Sequence, residues 1–170
     1  MSEWTVVPRS GEAQETEPWR ELHRYWLAKH VDGRPPARGD LDPVIEIPRL
    51  VANLMILEVV PGGYEYRLVG SEIVAAAGVD LTNKRAGTGL RFATVAAAWL
   101  DALDFVKTNR TPRLLYSHLG TEIPAINTLL LLPLHTPDGE KTKILGALFR
   151  QGAFDPALKV ENLSVREVPS

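Results

Sequence analysis

The residues with the most chemical potential in this chain are few and scattered. Tyr116, Ser117 and His118 sit together near the end of a predicted strand, and Asn127 and Thr128 interrupt the apolar run Ile126 to Leu132. A buried amide needs hydrogen-bond partners. Asn127 facing a cavity would therefore fix a ligand's orientation, while a loop or solvent would satisfy it equally well. A strand sends alternate side chains to opposite faces, so the trio at 116–118 also reads as ordinary strand residues, half of them solvent-facing. His135, Asp138 and Glu140 cluster around a turn. They lack a fourth ligand and a helical His-x-x-x-His spacing, so a solvated turn is expected there and a metal site is not. His23 and His30 lie seven apart on a leading helix, a placement suited to a surface or an interface. No serine stands in a Gly-x-Ser-x-Gly elbow. Gly87-Thr88-Gly89 lacks the further glycine and lysine of a phosphate loop, and Arg34 and Arg38 alone do not make a nucleic-acid surface. With no acid–base or nucleophile constellation, the chain is expected not to be an enzyme.

Composition narrows the field further. The chain has 170 residues, enough for one domain with a real core. Nineteen basic against twenty-one acidic residues give a net charge of −2, so no global field draws nucleic acid or an anionic membrane. There is no cysteine, which removes disulfides, zinc-thiolate sites, iron–sulfur clusters and cysteine nucleophiles together. Apolar runs such as Leu129 to Leu134 are far short of the roughly 20 residues needed to span a bilayer. Met1-Ser2-Glu3 leads into polar sequence without an apolar signal core, so a cytoplasmic location is expected.

These residues must be positioned by elements that the pattern outlines. Residues 1–17 show no periodic apolar face and read as a mobile tail. Trp19, Leu22, Trp26 and Leu27 form a helical stripe within a leading helix at 18–31, and Asp32 to Gly39 reads as a semi-rigid link. Pro48 suits the first turn of a short helix reaching Ala52. Leu54 to Val60 and Tyr64 to Val69 read as strands joined by Pro61-Gly62-Gly63, whose glycines supply the positive φ of a tight hairpin. The alternation places Tyr64, Tyr66 and Leu68 on one face of the second strand. Ser71 is a candidate N-cap and Gly78 a candidate C-cap of a small helix between them. A long helix is predicted from about Phe92 to Thr108, then strands at Arg113–His118, Glu122–Leu134 and Lys143–Gln151. Residues 153–170 form an extension with a weak strand-like pattern that would pack on a neighbour or stay loose. The economical fold is α+β: a five-stranded antiparallel sheet with helices on one face and an extra N-terminal helix.

The chain resembles the PAS superfamily over roughly residues 19–152, and within it a bacterial subgroup of small single-PAS-domain proteins of uncharacterised function. The carriers are Tyr25-Trp26-Leu27, Ile47-Pro48-Arg49-Leu50, Tyr66-Arg67-Leu68-Val69-Gly70 running into Ser71-Glu72-Ile73, and Gly78-Val79-Asp80-Leu81-Thr82-Asn83-Lys84. The last resembles a Gly-x-Asp-Leu-Thr-Gly-Lys segment, with Asn83 where glycine is usual. Asn tolerates left-handed backbone, so that departure is mild. The resemblance implies a sensory or regulatory PAS-like domain at 18–152, engaged in signal transduction through protein–protein association.

It also implies a pocket between sheet and long helix. Trp99 and Leu103 would line it, with Trp99 able to stack on a flavin or cap an apolar ligand, although core packing explains the same stripe. Tyr116, Ser117, His118 and Asn127 would be its polar members, as in PAS domains that hold small anions on this strand, with Arg113 more distant. The ligand is unknown. Residues 92–108 contain no histidine, which argues against the usual haem site of such domains, and without cysteine a cysteinyl-flavin adduct is excluded. A flavin- or organic-acid-binding sensor is the alternative to a module acting chiefly by association.

Leu54 to Val60 adds one more expectation. Leu54 and Ile56 point one way and Met55, Leu57 and Val59 the other, so both faces of this strand need cover. The leading helix, from the same chain or from a second copy, can provide it. Trp19, Leu22, Trp26 and Leu27 are accordingly the candidate interface of a homodimer. A signalling protein is the other partner implied, and nucleic acid and membrane are not.

Overall fold

A computed structural model describes residues 18–87, 93–119, 125–151 and 160–168. Four helices, α1 (Pro18–Ala28), α2 (Pro43–Glu46), α3 (Ser71–Ala77) and α4 (Ala93–Asn109), accompany six strands. These are β1 (Leu54–Val60), β2 (Gly63–Val69), β3 (Arg113–Leu119), β4 (Ala125–Pro133), β5 (Lys143–Gln151) and β6 (Val160–Glu167). Short 3₁₀ turns at Arg38–Asp40 and Pro48–Asn53 complete the order. The strands form one antiparallel sheet in the order β2-β1-β5-β4-β3-β6.

The α+β class is as the sequence indicates, but the sheet has six strands rather than five. The sixth comes from the extension: Val160–Glu167 pairs along β3, from Arg113↔Glu167 to Leu119↔Val160. Its pattern was weak because its stability comes from a long-range ladder with β3 and not from local propensity. The predicted tail at 1–17 lies outside the described residues.

The sheet is covered on both sides, and β1 shows why. Leu54 and Ile56 join Trp19, Leu22, Trp26, Leu50, Leu114, Leu130, Leu132, Leu145 and Ala147 in a core beneath α1. Met55 and Leu57 join Tyr64, Tyr66, Ile73, Trp99, Leu103, Val106, Leu115, Leu131 and Ile144 beneath α3 and α4. The strand that asked for two covers receives both from its own chain. α3 and α4 share one face, and the extra N-terminal helix expected from the sequence, α1, occupies the other. Trp19, Leu22 and Trp26 are buried there, each contributing roughly 1.5–3 kcal/mol by removal from water. Trp26 also donates its indole N–H to the Pro133 carbonyl oxygen at 2.9 Å.

The hairpin forms as its glycines predict. Gly62 has φ 78° and Val60 pairs with Gly63, leaving Pro61 and Gly62 as the loop. One detail differs. The β1–β2 register shifts between Ile56 and Leu57, so Leu57 opposes Tyr66 whereas Ile56 opposes Leu68. A bulge of one residue reverses every following side chain. Tyr64 and Tyr66 face α4, but Leu68 is turned to the α1 face and is partly exposed. At the end of β2 the helix cap is Gly70, and Ser71 is the first residue of α3. Gly78 closes α3 with φ 72°, and Asn83 adopts the left-handed φ of 62° that its place in the motif requires.

Candidate functional site

The face beneath α4 is apolar with two phenols set into it. α4 presents Trp99, Ala102, Leu103 and Val106 to the sheet, all buried. The Trp99 indole N–H donates to the Tyr66 hydroxyl at 3.2 Å, and the Tyr64 hydroxyl donates to Asp104 Oδ1 at 2.5 Å. Burial pushes the Tyr66 phenol up to about 12, with the Trp99 donor acting in the opposite direction. Burial, followed by the Asp104 carboxylate, raises Tyr64 as well. Both phenols are neutral donors or acceptors at ordinary pH.

The predicted pocket residues divide between two faces and distant strands. Trp99 and Leu103 lie under α4, with Trp99 reaching β2. Ser117 and Asn127 oppose one another across β3 and β4, on the same face as Leu115 and Leu131. β3 lies four strands from β2, which at about 4.8 Å per strand is ~19 Å along the sheet. Tyr116 packs against the core on the other face, under α1. His118 is placed by its backbone alone, opposite Ile126 and Asn162. Strand parity thus separates neighbours that proximity in sequence had grouped. Arg113 is engaged elsewhere, its guanidinium 3.3 Å from the Phe105 ring centroid and 3.7 Å from Glu167.

Of the four candidate interface residues, Trp19, Leu22 and Trp26 are spent on the chain's own sheet, and Leu27 is exposed. The two histidines of α1 bracket Trp26. His23 stacks on it with ring centroids 5.8 Å apart, and His30 meets it edge-on at 4.2 Å while its Nδ1 lies 2.9 Å from the Trp26 carbonyl oxygen. Burial lowers the His23 pKa, and the nearby His30 and Arg20 lower it further. At the far end of α1, Glu46 of α2 accepts from Lys29 and from the Tyr25 hydroxyl, which hold its carboxyl down at about 2.

One cleft among the described residues is one that the sequence did not suggest. It opens between the start of α1, the 3₁₀ turn at Pro48–Asn53 and the end of β5, with a volume of about 570 Å³. Among the described residues Arg20, Glu21, Arg24, Arg49 and Arg150 line it, with Leu50 and Phe149 as apolar wall. Arg20 lies over the Trp19 ring at 4.4 Å. Arg49 is clamped by Glu21, with Nε to Oε1 at 2.9 Å and a second bond from Nη2 to Oε2. Arg150 opposes Asn127, so strand parity turns its side chain toward the α4 face, and it borders the cleft at the end of β5. The contributing segments are far apart in sequence, and only tertiary packing gathers their charge.

The turn at His135 is used structurally: the His135 N–H donates to the Pro36 carbonyl oxygen at 2.9 Å, and Glu140 lies 3.9 Å from Lys143. Among the described residues no group of three or more His, Asp or Glu is placed to hold a metal ion, and no helix is long and apolar enough to cross a membrane.

A search of curated proteins finds no match to the chain. A family model described as PAS domain matches residues 14–149, most of the sequence and all of the sheet except the end of β5 and β6. The antiparallel sheet, the helices packed on it and this match agree, and the chain belongs to the PAS domain family.

Proposed function

We propose that this PAS domain is a non-catalytic sensory or regulatory module that acts by protein–protein association, with α1 as the element whose packing carries the signal. The observation that supports this reading is the position of α1. It covers the second face of the sheet through Trp19, Leu22 and Trp26, and the Trp26–Pro133 hydrogen bond ties it to the end of β4. A helix held on a sheet in this way has a docked and a released arrangement, and a ligand or partner that prefers one shifts the population toward it.

The surface offered for association is the outer edge of α1 and the turn that follows, where Leu27 and Val31 are exposed four residues apart. A homodimer through this edge keeps the Trp19–Leu22–Trp26 stripe on its own sheet and uses only what that stripe leaves over. Light scattering on the purified chain from low to high micromolar concentration tests it. Mass is expected to rise from the 18.8 kDa monomer toward twice that value. The double variant Leu27→Glu, Val31→Glu is expected to stay monomeric. A wild-type chain that remains monomeric throughout, or a double variant that dimerises equally, removes the proposal.

A further inference from the structure

We propose that His23, stacked on Trp26 beside His30, is a pH-sensitive catch: its neutral imidazole keeps α1 seated, and its protonated form favours α1 lifted off a sheet that stays folded. The inference rests on the docked and released arrangements of α1 proposed above and names a signal that moves between them. Its test reads α1 in the monomer and does not depend on self-association.

The contacts converge on one fastening residue. Trp26 is buried, and its indole N–H holds the Pro133 carbonyl oxygen at 2.9 Å. Both histidines of the helix lie against that side chain. The His23 ring is stacked on the indole at 21° with centroids 5.8 Å apart, and His30 meets it edge-on at 85° and 4.2 Å. Both histidines are half-buried. The seat of α1 therefore sets the surroundings of the imidazole, and by linkage the charge on the imidazole acts back on the seat. Arg20 stands one turn before His23 and His30 two turns after it, so three basic groups follow one side of the helix.

The acids of the elements around α1 are engaged elsewhere. Glu21 is taken by Arg49 of the 3₁₀ turn, and Glu46 of α2 by Lys29 and the Tyr25 hydroxyl. Glu58 of β1 pairs with Arg67 and Lys141, and Glu167 of β6 lies 3.7 Å from Arg113 of β3. β4 carries no titratable side chain. On β5, Lys143 lies 3.9 Å from Glu140 and Arg150 is turned to the α4 face; on β6, Arg166 lies over the Tyr116 ring. His118 of β3 is level with Ile126, seven residues and about 23 Å along β4 from Pro133.

A proton on His23 thus meets Arg20 and His30 and gains no carboxylate. The indole face attracts a cation, but burial first, and then these like charges, act in the opposite direction and lower the affinity of the docked state for the proton. Water reaches the ring when α1 lifts. Docking supported by this group is complete above the ordinary value of 6.5 and is lost as the pH falls from there through the lower docked-state value.

Hydrogen–deuterium exchange of the full chain, read by mass spectrometry at low micromolar concentration, provides the test at pH 7.5 and 5.5. Rates are corrected for the intrinsic pH dependence of exchange. Protection of Pro18–Ala28 is expected to fall severalfold at the lower pH while that of β4 and β5 holds. His23→Gln is expected to keep α1 protected at both values, and Arg20→Gln, which removes one of the opposing charges, to make the fall smaller. Unchanged circular dichroism at pH 7.5 shows that the variants are folded. The proposal is overturned if α1 protection does not depend on pH, if β4 and β5 lose protection together with α1, or if folded His23→Gln falls as wild type does. Should His23→Gln fail to fold, Arg20→Gln decides, and a fall as large as that of wild type overturns the proposal. A chain that dimerises through Leu27 and Val31 with α1 indifferent to pH loses the catch and keeps the association, and a pH-sensitive α1 on a chain that stays monomeric does the reverse.

Discussion

Trp26 donates its indole N–H to the carbonyl oxygen of Pro133 at 2.9 Å, joining α1 to the end of β4 across 107 residues of chain. The bond is buried, so its two partners have no water to fall back on.

Trp26→Phe keeps most of the apolar contact but leaves the Pro133 carbonyl without this donor. The expected loss is about 1–3 kcal/mol, the penalty for orphaning a buried polar group. Trp26→Ala also opens a cavity and is expected to cost about 3–5 kcal/mol. Urea denaturation followed by far-ultraviolet circular dichroism separates the two. Equal midpoints for Trp26→Phe and wild type would mean that the hydrogen bond contributes nothing net.

Gly70 is required by contact and not by an unusual φ. A Cβ built there lies 2.2 Å from the Ala52 carbonyl oxygen and 2.5 Å from its carbon, both backbone atoms that cannot swing aside. Gly70→Ala is expected to destabilise by more than about 2 kcal/mol, as overpacking against fixed structure does. Gly62→Ala meets open space but has φ 78°, and is expected to cost about 1–2 kcal/mol. Gly39→Ala, with open space and no positive φ, serves as a near-neutral control. Thermal melts of the three variants should fall in that order, and a Gly70→Ala melt matching that of Gly39→Ala would contradict the contact.

The depressed His23 pKa sets a direction for stability against pH. The folded protein binds this proton less readily than the unfolded chain, whose value is near 6.5. Stability from this group is therefore complete above 6.5 and declines as the pH falls from 6.5 through the lower folded-state value. His30 and Arg20 oppose the same proton, so His23→Gln is expected to flatten the decline. Denaturant midpoints measured between pH 7.5 and 5.5 check this, and a variant with the wild-type slope would assign the decline to other groups.

Tyr25, Tyr64 and Tyr66 should resist ionisation in the folded protein. Tyr25 and Tyr64 are raised by burial and then by carboxylates at Glu46 and Asp104, and Tyr66 is pushed by burial to about 12. Absorbance titration at 295 nm should show these three charging well above 10, the ordinary phenol value. Tyr66→Phe should remove one of the late-titrating groups and leave the Trp99 indole N–H without its acceptor. Titration of these three near 10 would place the phenols in water.

The sequence made local geometry legible and long-range convergence much less so. The bounds of β5 and the hairpin glycines follow from residue type and alternation, and both appear in the structure; Asn83 takes the left-handed backbone that the resemblance to a glycine-bearing segment implies. The two-faced burial of β1 was legible because period-two alternation of large apolar residues on both sides admits no other arrangement. Leu68 was assigned to the wrong face because a bulge depends on register with β1, which β2 alone does not encode. β6 was weak in isolation because its ladder partner lies in β3. The arginine cleft was missed for a related reason. Arg20 and Arg24 share a helix, but Arg49 and Arg150 join them only after the chain has folded around the sheet. The arginines weighed from sequence were Arg34 and Arg38, set aside as too few for a nucleic-acid surface, and the more distant Arg113; Arg38 donates to the Leu41 carbonyl oxygen at 3.1 Å.

The sixth strand has a practical consequence for where this domain is cut. The family match stops at residue 149, before β5 ends and before β6 begins. A fragment trimmed to that boundary leaves β3 as a bare edge, with the backbone groups that paired along seven residues of Arg113–Leu119 open to strands from other molecules. Such a fragment would invite edge-to-edge aggregation, and its poor solubility could be mistaken for an intrinsic property of the protein. Retaining the chain through Glu167 keeps that edge closed.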